Sequence, residues 1–240
     1  ITTGITNPFL TLLNGTFRVD REGLVVTVTD GTTNFSIPSS AALSVNAGTV
    51  RVAYGNNNAN LLLAGRLEVL GGLMEIGQST QNQNNNIEYA AAGKPEIYVS
   101  GGTLYVNGQI SRPTTTTSGS LNYIQTGGQV TIAGRNRLAS RGLLEVANAG
   151  SLFSTSGGTL TLVRPSAVGT TFGDLYLRPE AHNVTGGTIQ TAGATNWRTV
   201  AANGNTITVL WDAAGNGSVK VEERVGATSV QGETTENEVI

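Results

Sequence analysis

The sequence predicts an all-β protein, a parallel β-solenoid (β-helix) of about seven coils followed by a short C-terminal β segment. Three observations lead to this fold class. The composition is rich in glycine and strand-forming residues, one motif recurs about every 29 residues, and the aligned copies of that motif form apolar columns.

The composition favours strands and turns over helices. Charged residues make up 12 % and hydrophobic residues 38 % of the 240 residues, and 32 residues are glycine. An ordinary globular domain is about one quarter charged. Thr, Val and Ile favour strands, while Gly and Asn favour tight turns, so the chain is predicted to be all-β.

The composition also limits the partners and cofactors. The net charge is −2 and the arginines are scattered, whereas nucleic-acid binding needs clustered cations, so no nucleic acid is expected as a partner. No apolar run approaches the ~18 residues of a membrane helix, so no membrane insertion is expected. The absence of cysteine excludes disulfides and thiolate metal sites. We predict no cofactor and no metal.

The repeated motif is a run of alternating apolar residues, a glycine corner, and a second alternating run. Its second glycines are 24 to 33 residues apart, which is typical of stacked repeats. The seven copies are LTLLNGTFRV (10–19), LSVNAGTVRV (43–52), EVLGGLMEI (68–76), IYVSGGTLYV (97–106), YIQTGGQVTI (123–132), FSTSGGTLTL (153–162) and NVTGGTIQT (183–191).

Aligned on the glycine, the copies give two apolar columns, at the second and fourth positions after it. Side chains alternate along a strand, so both columns face one side, and stacked coils would bury them as ladders. The first column begins with Phe17 and the second with Val19, and Thr191 is the one polar exception. The first predicted ladder is Val50, Met74, Leu104, Val130, Leu160 and Ile189, and the second is Val52, Ile76, Val106, Ile132 and Leu162.

A second strand precedes the corner in several copies, and polar stretches separate the coils. The upstream strands are GRLEV (65–69), GKPEIYV (93–99), GSLNYI (119–124), GLLEV (142–146) and GDLYL (173–177). The polar stretches 78–86, 112–118 and 165–171 are predicted as loops outside the stack. An antiparallel β-sandwich remains the alternative fold, because Ser-Gly-Gly-Thr between alternating runs is also a hairpin signal.

The sequence divides into a solenoid repeat region over 1–192 and a C-terminal part over 193–240. Two strands are predicted there, 206–211 and 218–221, forming a cap on the stack or the start of a neighbouring domain. The last ten residues are predicted to be a flexible tail. The chain starts at Ile1 without a signal peptide, so we expect a mature form or a segment of a longer chain, with neighbouring domains as partners.

Few residues could carry chemistry. His182 is the only histidine, which argues against serine triads and multi-histidine metal sites. Glu68 and Glu75 lie in one predicted coil and Glu96 in the next, so the three carboxylates could lie close together. β-Helix polysaccharide lyases and glycosidases need clustered carboxylates. A solvated face is the interpretation we adopt, so no catalytic residue is assigned.

Three tyrosines are the candidate binding residues. Tyr98, Tyr105 and Tyr176 each lie between two aliphatic residues. If the aliphatic neighbours point into the core, the tyrosines point outward, where rings stack on sugars or on protein partners. We therefore expect contact with a surface glycan or a protein partner at these residues.

Two phrases carry a resemblance to a known group of proteins. SGGTLTLVRPSAVGTTFGDLYLRPEAHNVTGGTIQT (156–191) resembles β-solenoid-like repeats of very large bacterial surface proteins exported by the type IX secretion route, a group that includes gliding adhesins. NTITVLWDAAGNGSVKVEE (205–223) resembles the strand pair of their PKD- or immunoglobulin-like modules, although the rest of such a module is missing. The resemblance implies a secreted, cell-surface location and a role in adhesion or as a stalk.

Three functional hypotheses follow. The first is a non-catalytic structural or adhesive segment of a secreted bacterial surface protein. The second is a carbohydrate-active β-helix enzyme, which requires carboxylates that converge beside an arginine and a groove. The third is a module bound as cargo or partner by secretion machinery. We predict the first, and therefore no enzymatic activity.

Overall fold

The structure is a computed structural model. It describes residues 9–112, 118–136, 141–163 and 175–192, and the C-terminal strands within 197–239. The described residues form strands and turns. The strands are β1 (Gly15–Thr27), β2 (Phe35–Ile37), β3 (Ala41–Val52), β4 (Leu61–Leu63), β5 (Arg66–Val69), β6 (Leu73–Ile76), β7 (Ile87–Tyr89), β8 (Glu96–Val99), β9 (Thr103–Val106), β10 (Ile110–Ser111), β11 (Asn122–Gln125), β12 (Gln129–Ile132), β13 (Leu144–Leu162), β14 (Leu175–Ala192), β15 (Trp197–Asn203), β16 (Thr206–Trp211), β17 (Val219–Val225), β18 (Thr228–Thr234) and β19 (Glu238–Val239).

The fold is a parallel β-solenoid, as the repeat predicts. Each coil contains three strand segments, one more than the sequence indicated. Face 1 stacks β2, β4, β7, β10 and the first segments of β13 and β14. Face 2 stacks the first segments of β1 and β3 with β5, β8, β11 and the middle of β13 and β14. Face 3 stacks the ends of β1 and β3 with β6, β9, β12 and the ends of β13 and β14.

The two apolar ladders lie on face 3, and both predictions are confirmed from the second copy onward. Val50, Met74, Leu104, Val130, Leu160 and Ile189 are consecutive register partners, and all are buried. Val52, Ile76, Val106, Ile132 and Leu162 form the second ladder, each with no exposed surface. The parallel pairing of these residues excludes the antiparallel sandwich.

Face 2 supplies a third ladder that ends in aromatic residues. Leu43, Leu67 and Ile97 stack below Tyr123 and Phe153. The rings of Tyr123 and Phe153 are stacked with centroids 5.5 Å apart. Tyr123 is fully buried, and its hydroxyl donates to Gln125 Oε1 at 2.7 Å. The ring therefore fills the core while its polar end is satisfied.

The predicted glycine corner separates face 2 from face 3. Gly102 has a φ of +58°, and an added Cβ would lie 2.5 Å from the carbonyl carbon of Gly71 in the coil below. A side chain there would therefore collide with backbone as well as strain its own φ. The stacked glycines of neighbouring coils are thus required by the close approach of the chain to itself.

The first copy of the motif lies in a different register from the predicted one. Gly15 pairs with Ala41 rather than with a corner glycine, and Phe17 pairs with Leu43. The register of β1 shifts between Val19 and Val25, so that Val26 occupies the position below Val50. The inserted residues hid the true register. β1 covers two faces, and about six complete turns follow it rather than seven.

Two of the predicted upstream strands lie on a different face from the others. Leu144 pairs with Ile110, and Leu175 pairs with Leu144, so the strands predicted at 142–146 and 173–177 belong to face 1. The strands predicted at 65–69, 93–99 and 119–124 correspond to β5, β8 and β11 on face 2. The two sets look alike locally because each consists of alternating apolar residues after a glycine.

The Asn-rich stretch at 78–86 is not simply an external loop. Asn85 is completely buried and Asn86 nearly so. Asn34 Oδ1 accepts from the backbone N–H of Asn60 at 2.8 Å, Asn60 Oδ1 from that of Asn86 at 2.9 Å, and Asn86 Oδ1 from that of Gln109 at 2.7 Å. We call these three asparagines the Asn ladder. It joins four coils at the turn just before the strands of face 1. Most of the other two predicted loops, residues 113–117 and 165–171, lie outside the described residues.

The C-terminal strands pair with the last coil. β15 runs antiparallel to the end of β14, and β16 pairs with β15 and β19. β17 runs parallel to the start of β14 and pairs with β18. Both predicted strands are therefore present, with different partners. The division at 192/193, the flexible tail and the identity of the C-terminal part as cap or module start stay predictions.

Candidate binding surface on face 2

The three candidate tyrosines lie on three different faces. Tyr98 points outward from β8 on face 2 and is half-buried, whereas Tyr105 points outward from β9 on face 3 and is also half-buried. Tyr176 belongs to face 1 and is only 5 % exposed. A corner separates Tyr98 from Tyr105, and Tyr176 is covered, so the three tyrosines form no common surface. Binding at these residues stays a prediction.

A charged cluster covers the outer side of face 2 in the first coils. Arg18 and Arg66 contact Glu68 at 3.1 and 3.0 Å, and Arg66 also lies 3.0 Å from Glu96. The Ser44 hydroxyl donates to Glu68 Oε2 at 2.7 Å. We call these five residues the face 2 charge cluster. Successive coils bring them together, although they are far apart in the chain.

Tyr98 borders this cluster. It follows Glu68 in the outward column of face 2, and the guanidinium carbon of Arg66 lies 5.0 Å from its ring centroid. Such a cation–π contact holds an arginine over one side of a ring. Arg66 thus links the aromatic residue to both carboxylates, which gives Tyr98 the best-defined surroundings of the three tyrosines.

The three candidate carboxylates do not converge. Glu68 and Glu96 share face 2, but Glu75 lies on face 3, where it contacts Arg51 at 2.8 Å. Each of the three is engaged by an arginine. Among the described residues, no group of three His, Cys, Asp or Glu is placed to hold a metal ion. Glu68 and Glu96 are the pair that the enzyme hypothesis would have to use.

A groove of about 350 Å³ opens beside the cluster, at the corner between faces 1 and 2. It crosses four successive coils. Its charged lining comes from Arg66, Lys94 and Glu96, and Thr16, Ser39 and Ser40 contribute hydroxyls. Small residues complete the lining: Gly15, Ala41, Ala42 and Gly65.

The floor of the groove is fixed by backbone contacts. A Cβ on Gly65 would collide with the carbonyl oxygens of Pro38 and Ala41 in the coil below. Gly15 N–H donates to the Ser40 carbonyl at 3.0 Å, and Glu96 N–H donates to the Gly65 carbonyl at 2.9 Å. The coils therefore meet closely at this corner, and small residues line the groove there.

Tyr105 has a different setting. Its hydroxyl donates to Asn107 Oδ1 at 2.9 Å. Glu75, which is paired with Arg51, precedes Tyr105 in the outward column of face 3. Thr131 and Thr161 continue that column in the next two coils, so the surface is charged on one side of Tyr105 and uncharged on the other. Binding at Tyr105 stays a prediction.

Tyr176 contacts a buried ionic cluster that the sequence did not indicate. Its register partner is Glu145, and Arg112 lies over its ring at 5.0 Å. Glu145 is 0 % exposed, Arg112 3 % and Arg141 8 %. We call Arg112, Arg141 and Glu145 the face 1 ionic cluster.

Glu145 accepts five hydrogen bonds. Arg141 donates from Nε at 2.8 Å and from Nη2 at 2.5 Å, and Gly142 N–H donates at 3.0 Å. Arg112 donates from its backbone N–H at 3.3 Å and from Nε at 3.2 Å. Arg141 Nη2 also donates to the Arg112 carbonyl at 2.9 Å. The cluster ties separate chain segments together.

These contacts keep the cluster ionised. Burial acts against the charge of Glu145 and is the largest single influence, but the hydrogen bonds and charges of Arg141 and Arg112 hold its pKa below the usual value. The hydrogen bond to Glu145 raises the pKa of Arg141. Burial, and then the charge of Glu145, raises the pKa of Tyr89, whose hydroxyl donates to the Glu145 carbonyl at 3.0 Å.

The face 1 ionic cluster has the character of a structural brace. Its carboxylate is saturated with donors and shielded from solvent, so Glu145 is poorly placed to exchange protons with a substrate. In the sequence, Glu145 occupies an outward position of a strand, which predicts exposure. Only the partners contributed by Arg112 and Arg141 explain its burial.

Comparisons with known proteins supply no relative. No protein-family model matches the chain, and no curated protein or solved structure matches it significantly. None of the described residues form a helix of the length and apolarity needed to cross a membrane. The site must therefore be interpreted from its own geometry.

Proposed function

We propose that this chain is a non-catalytic structural and adhesive segment of a secreted bacterial cell-surface protein. The observation that carries the proposal is the state of the candidate carboxylates. Glu68, Glu75 and Glu96 are each engaged by an arginine at 3.1 Å or less. A general acid or base must instead be free to donate or accept a proton at the substrate.

The shape of the molecule also supports a structural role. Continuous ladders bury the same side-chain type in coil after coil, so the stack is held by repeated nearest-neighbour contacts. Each coil adds about 4.8 Å of length, so that about six turns give a rod of roughly 30 Å. Such a rod presents surface residues at fixed spacings. The cell-surface location comes from the sequence resemblance alone.

The carbohydrate-active enzyme remains the second candidate, because Glu96 and Arg66 line a groove. A screen of acidic polysaccharides, such as polygalacturonate and alginate, with and without Ca²⁺, separates the two functions. We expect retention on an immobilised glycan without release of unsaturated products or new reducing ends. Turnover that disappears in Glu68→Gln or Glu96→Gln but persists in Glu75→Gln would reject the non-catalytic proposal.

The location is tested in the encoding bacterium. We expect an antibody against the solenoid to label intact cells, and we expect external protease to remove that label. A protein that is labelled only after the cells are permeabilised would contradict the surface location.

A further inference from the structure

We propose that the groove between faces 1 and 2 binds a sugar residue that carries a single negative charge, within a larger polysaccharide. The inference rests on the proposed adhesive function and specifies its ligand. Three features of the groove carry it: an exposed lysine beside an arginine, a net positive charge of one, and a small-residue floor flanked by hydroxyls.

The cationic donors are Lys94 and Arg66. Lys94 is exposed and makes no ion pair within the described part of the chain. Arg66 Nε lies 3.0 Å from Glu96 Oε1, yet this N–H is buried without an aligned hydrogen-bond acceptor. A ligand anion would pair with the exposed ammonium group of Lys94, and charge-assisted hydrogen bonds of this kind are the strong ones. The Arg66 guanidinium, which Glu68 and Glu96 hold in place, adds positive charge beside it.

The charge balance selects a monoanion. The groove lining contains Arg66, Lys94 and Glu96, which sum to one positive charge. The adjacent pair Arg18–Glu68 is neutral as a unit. A ligand with one carboxylate or sulfate per sugar complements this balance. A densely charged phosphate backbone would instead meet the two glutamates.

The polar rim and the floor favour a sugar over a simple ion. Thr16, Ser39 and Ser40 are exposed. The hydroxyls of Thr16 and Ser39 can donate to and accept from sugar hydroxyls, whereas the Ser40 hydroxyl donates to the Leu13 carbonyl at 2.9 Å and can accept from a sugar. A Cβ on Gly15 would meet no atom within 4 Å, so a ring can approach the backbone closely at this end of the groove. The groove crosses four coils, which is roughly 14 Å along the rod.

Tyr98 extends the site on the outer side of face 2. It lies two residues beyond Glu96 in β8 and contacts the Arg66 guanidinium through one side of its ring. A further sugar leaving the groove along β8 would meet this ring, and aromatic faces stack on sugars. The groove and Tyr98 then act as neighbouring subsites for one chain.

The test is calorimetric titration of the full chain at low salt with three probes: an oligogalacturonate, a sulfated carrageenan oligosaccharide and a neutral malto-oligosaccharide. We expect binding of an anionic probe and none of the neutral one. The carboxylate and sulfate arms show which anion is preferred. Lys94→Gln should weaken binding roughly fivefold, which corresponds to about 1 kcal/mol for one partly exposed ion pair.

Arg21→Gln is the matched control, since Arg21 is an exposed arginine of β1 at the opposite corner of face 2. It should leave binding unchanged, and both variants should keep the wild-type melting temperature. Equal weakening by both variants, equal affinity for the neutral probe, or no binding of either anionic probe would overturn the inference. Anionic binding that Lys94→Gln leaves intact would reject the groove and preserve the adhesive function, whereas turnover of a probe would reject the adhesive function itself.

Discussion

Replacing Glu145 with glutamine should destabilise the solenoid more than any change to a surface ion pair. The glutamine side chain carries no charge, so the guanidinium groups of Arg112 and Arg141 would remain buried without their shared carboxylate. Two of the five donors to this carboxylate are backbone N–H groups, from Arg112 and Gly142. The substitution is nearly isosteric, so the lost charge rather than a cavity determines the effect.

The magnitude follows from the burial. Breaking a buried ion pair by removing one partner costs about 3–5 kcal/mol, because the other charge stays desolvated. For a chain of this size, each 1 kcal/mol lowers the melting temperature by roughly 2–4 °C. We therefore expect a decrease of roughly 6–20 °C for Glu145→Gln.

Glu75→Gln is the control. Glu75 also has an arginine partner, but the Arg51 side chain is 31 % exposed, and pairs near the surface contribute about 0–1 kcal/mol. Urea unfolding followed by circular dichroism measures both variants, and hydrogen exchange locates the loss. We expect protection to fall first in β13 and β14. A Glu145→Gln variant that unfolds at the same urea concentration as Glu75→Gln would refute the role of the face 1 ionic cluster as a brace.

The pH dependence gives a second test of the same residue. The folded-state pKa of Glu145 is lowered, so its contribution is complete above the unfolded pKa of about 4.3 and is lost as the pH falls through the folded value. The stability difference between wild type and Glu145→Gln should therefore be constant from about pH 7 to about pH 5 and shrink in more acidic solution. A difference that grows on acidification would contradict the ionised state.

Two further predictions concern the ladders. Val130→Asp should lower the free energy of unfolding by several kcal/mol because it buries an unpaired carboxylate. Gln129→Asp, at the exposed neighbouring position of β12, should change it by about 0.5 kcal/mol or less. Equal urea midpoints for the two variants would contradict the inward ladder. Asn60→Ala should lower the free energy of unfolding by about 1–3 kcal/mol because the backbone N–H of Asn86 loses its acceptor. Asn183→Ala, at an exposed position, should leave it unchanged. If Asn60→Ala also leaves it unchanged, the Asn ladder does not stabilise the fold.

The fold could be predicted because its determinants repeat. Val50, Met74 and Leu104 occupy equivalent positions, and each sits on the next at one strand spacing. The local sequence pattern is enough to predict the strand pairing in such a fold, since each residue pairs with the equivalent residue of the next coil. The prediction failed where an insertion broke the period, as between Val19 and Val25 in β1.

The Asn ladder was missed although the sequence contains a signal for it. Asn34, Asn60 and Asn86 are spaced by 26 residues, a period within the range of the glycine corners. Polar residues between apolar strands were interpreted as loops, because a single asparagine in a turn carries no indication of burial. Periodicity of polar residues, tested in the same way as periodicity of apolar ones, would have identified the ladder.

The candidate site could not be predicted by the same means, because it depends on residues that do not repeat. The outward column of face 2 that contains Arg66 and Glu96 has Ala42 before them and Asn122 after them. Charge enters this column only in two adjacent coils, where it meets Lys94 and the groove. Stacking requires the inward side chains of successive coils to be alike and leaves the outward ones unconstrained. A binding site can therefore form where the outward residues depart from the repeat. We therefore expect the ligand to contact one short stretch of the rod. A single substitution there should remove more affinity than several substitutions among the uncharged outward residues of face 3.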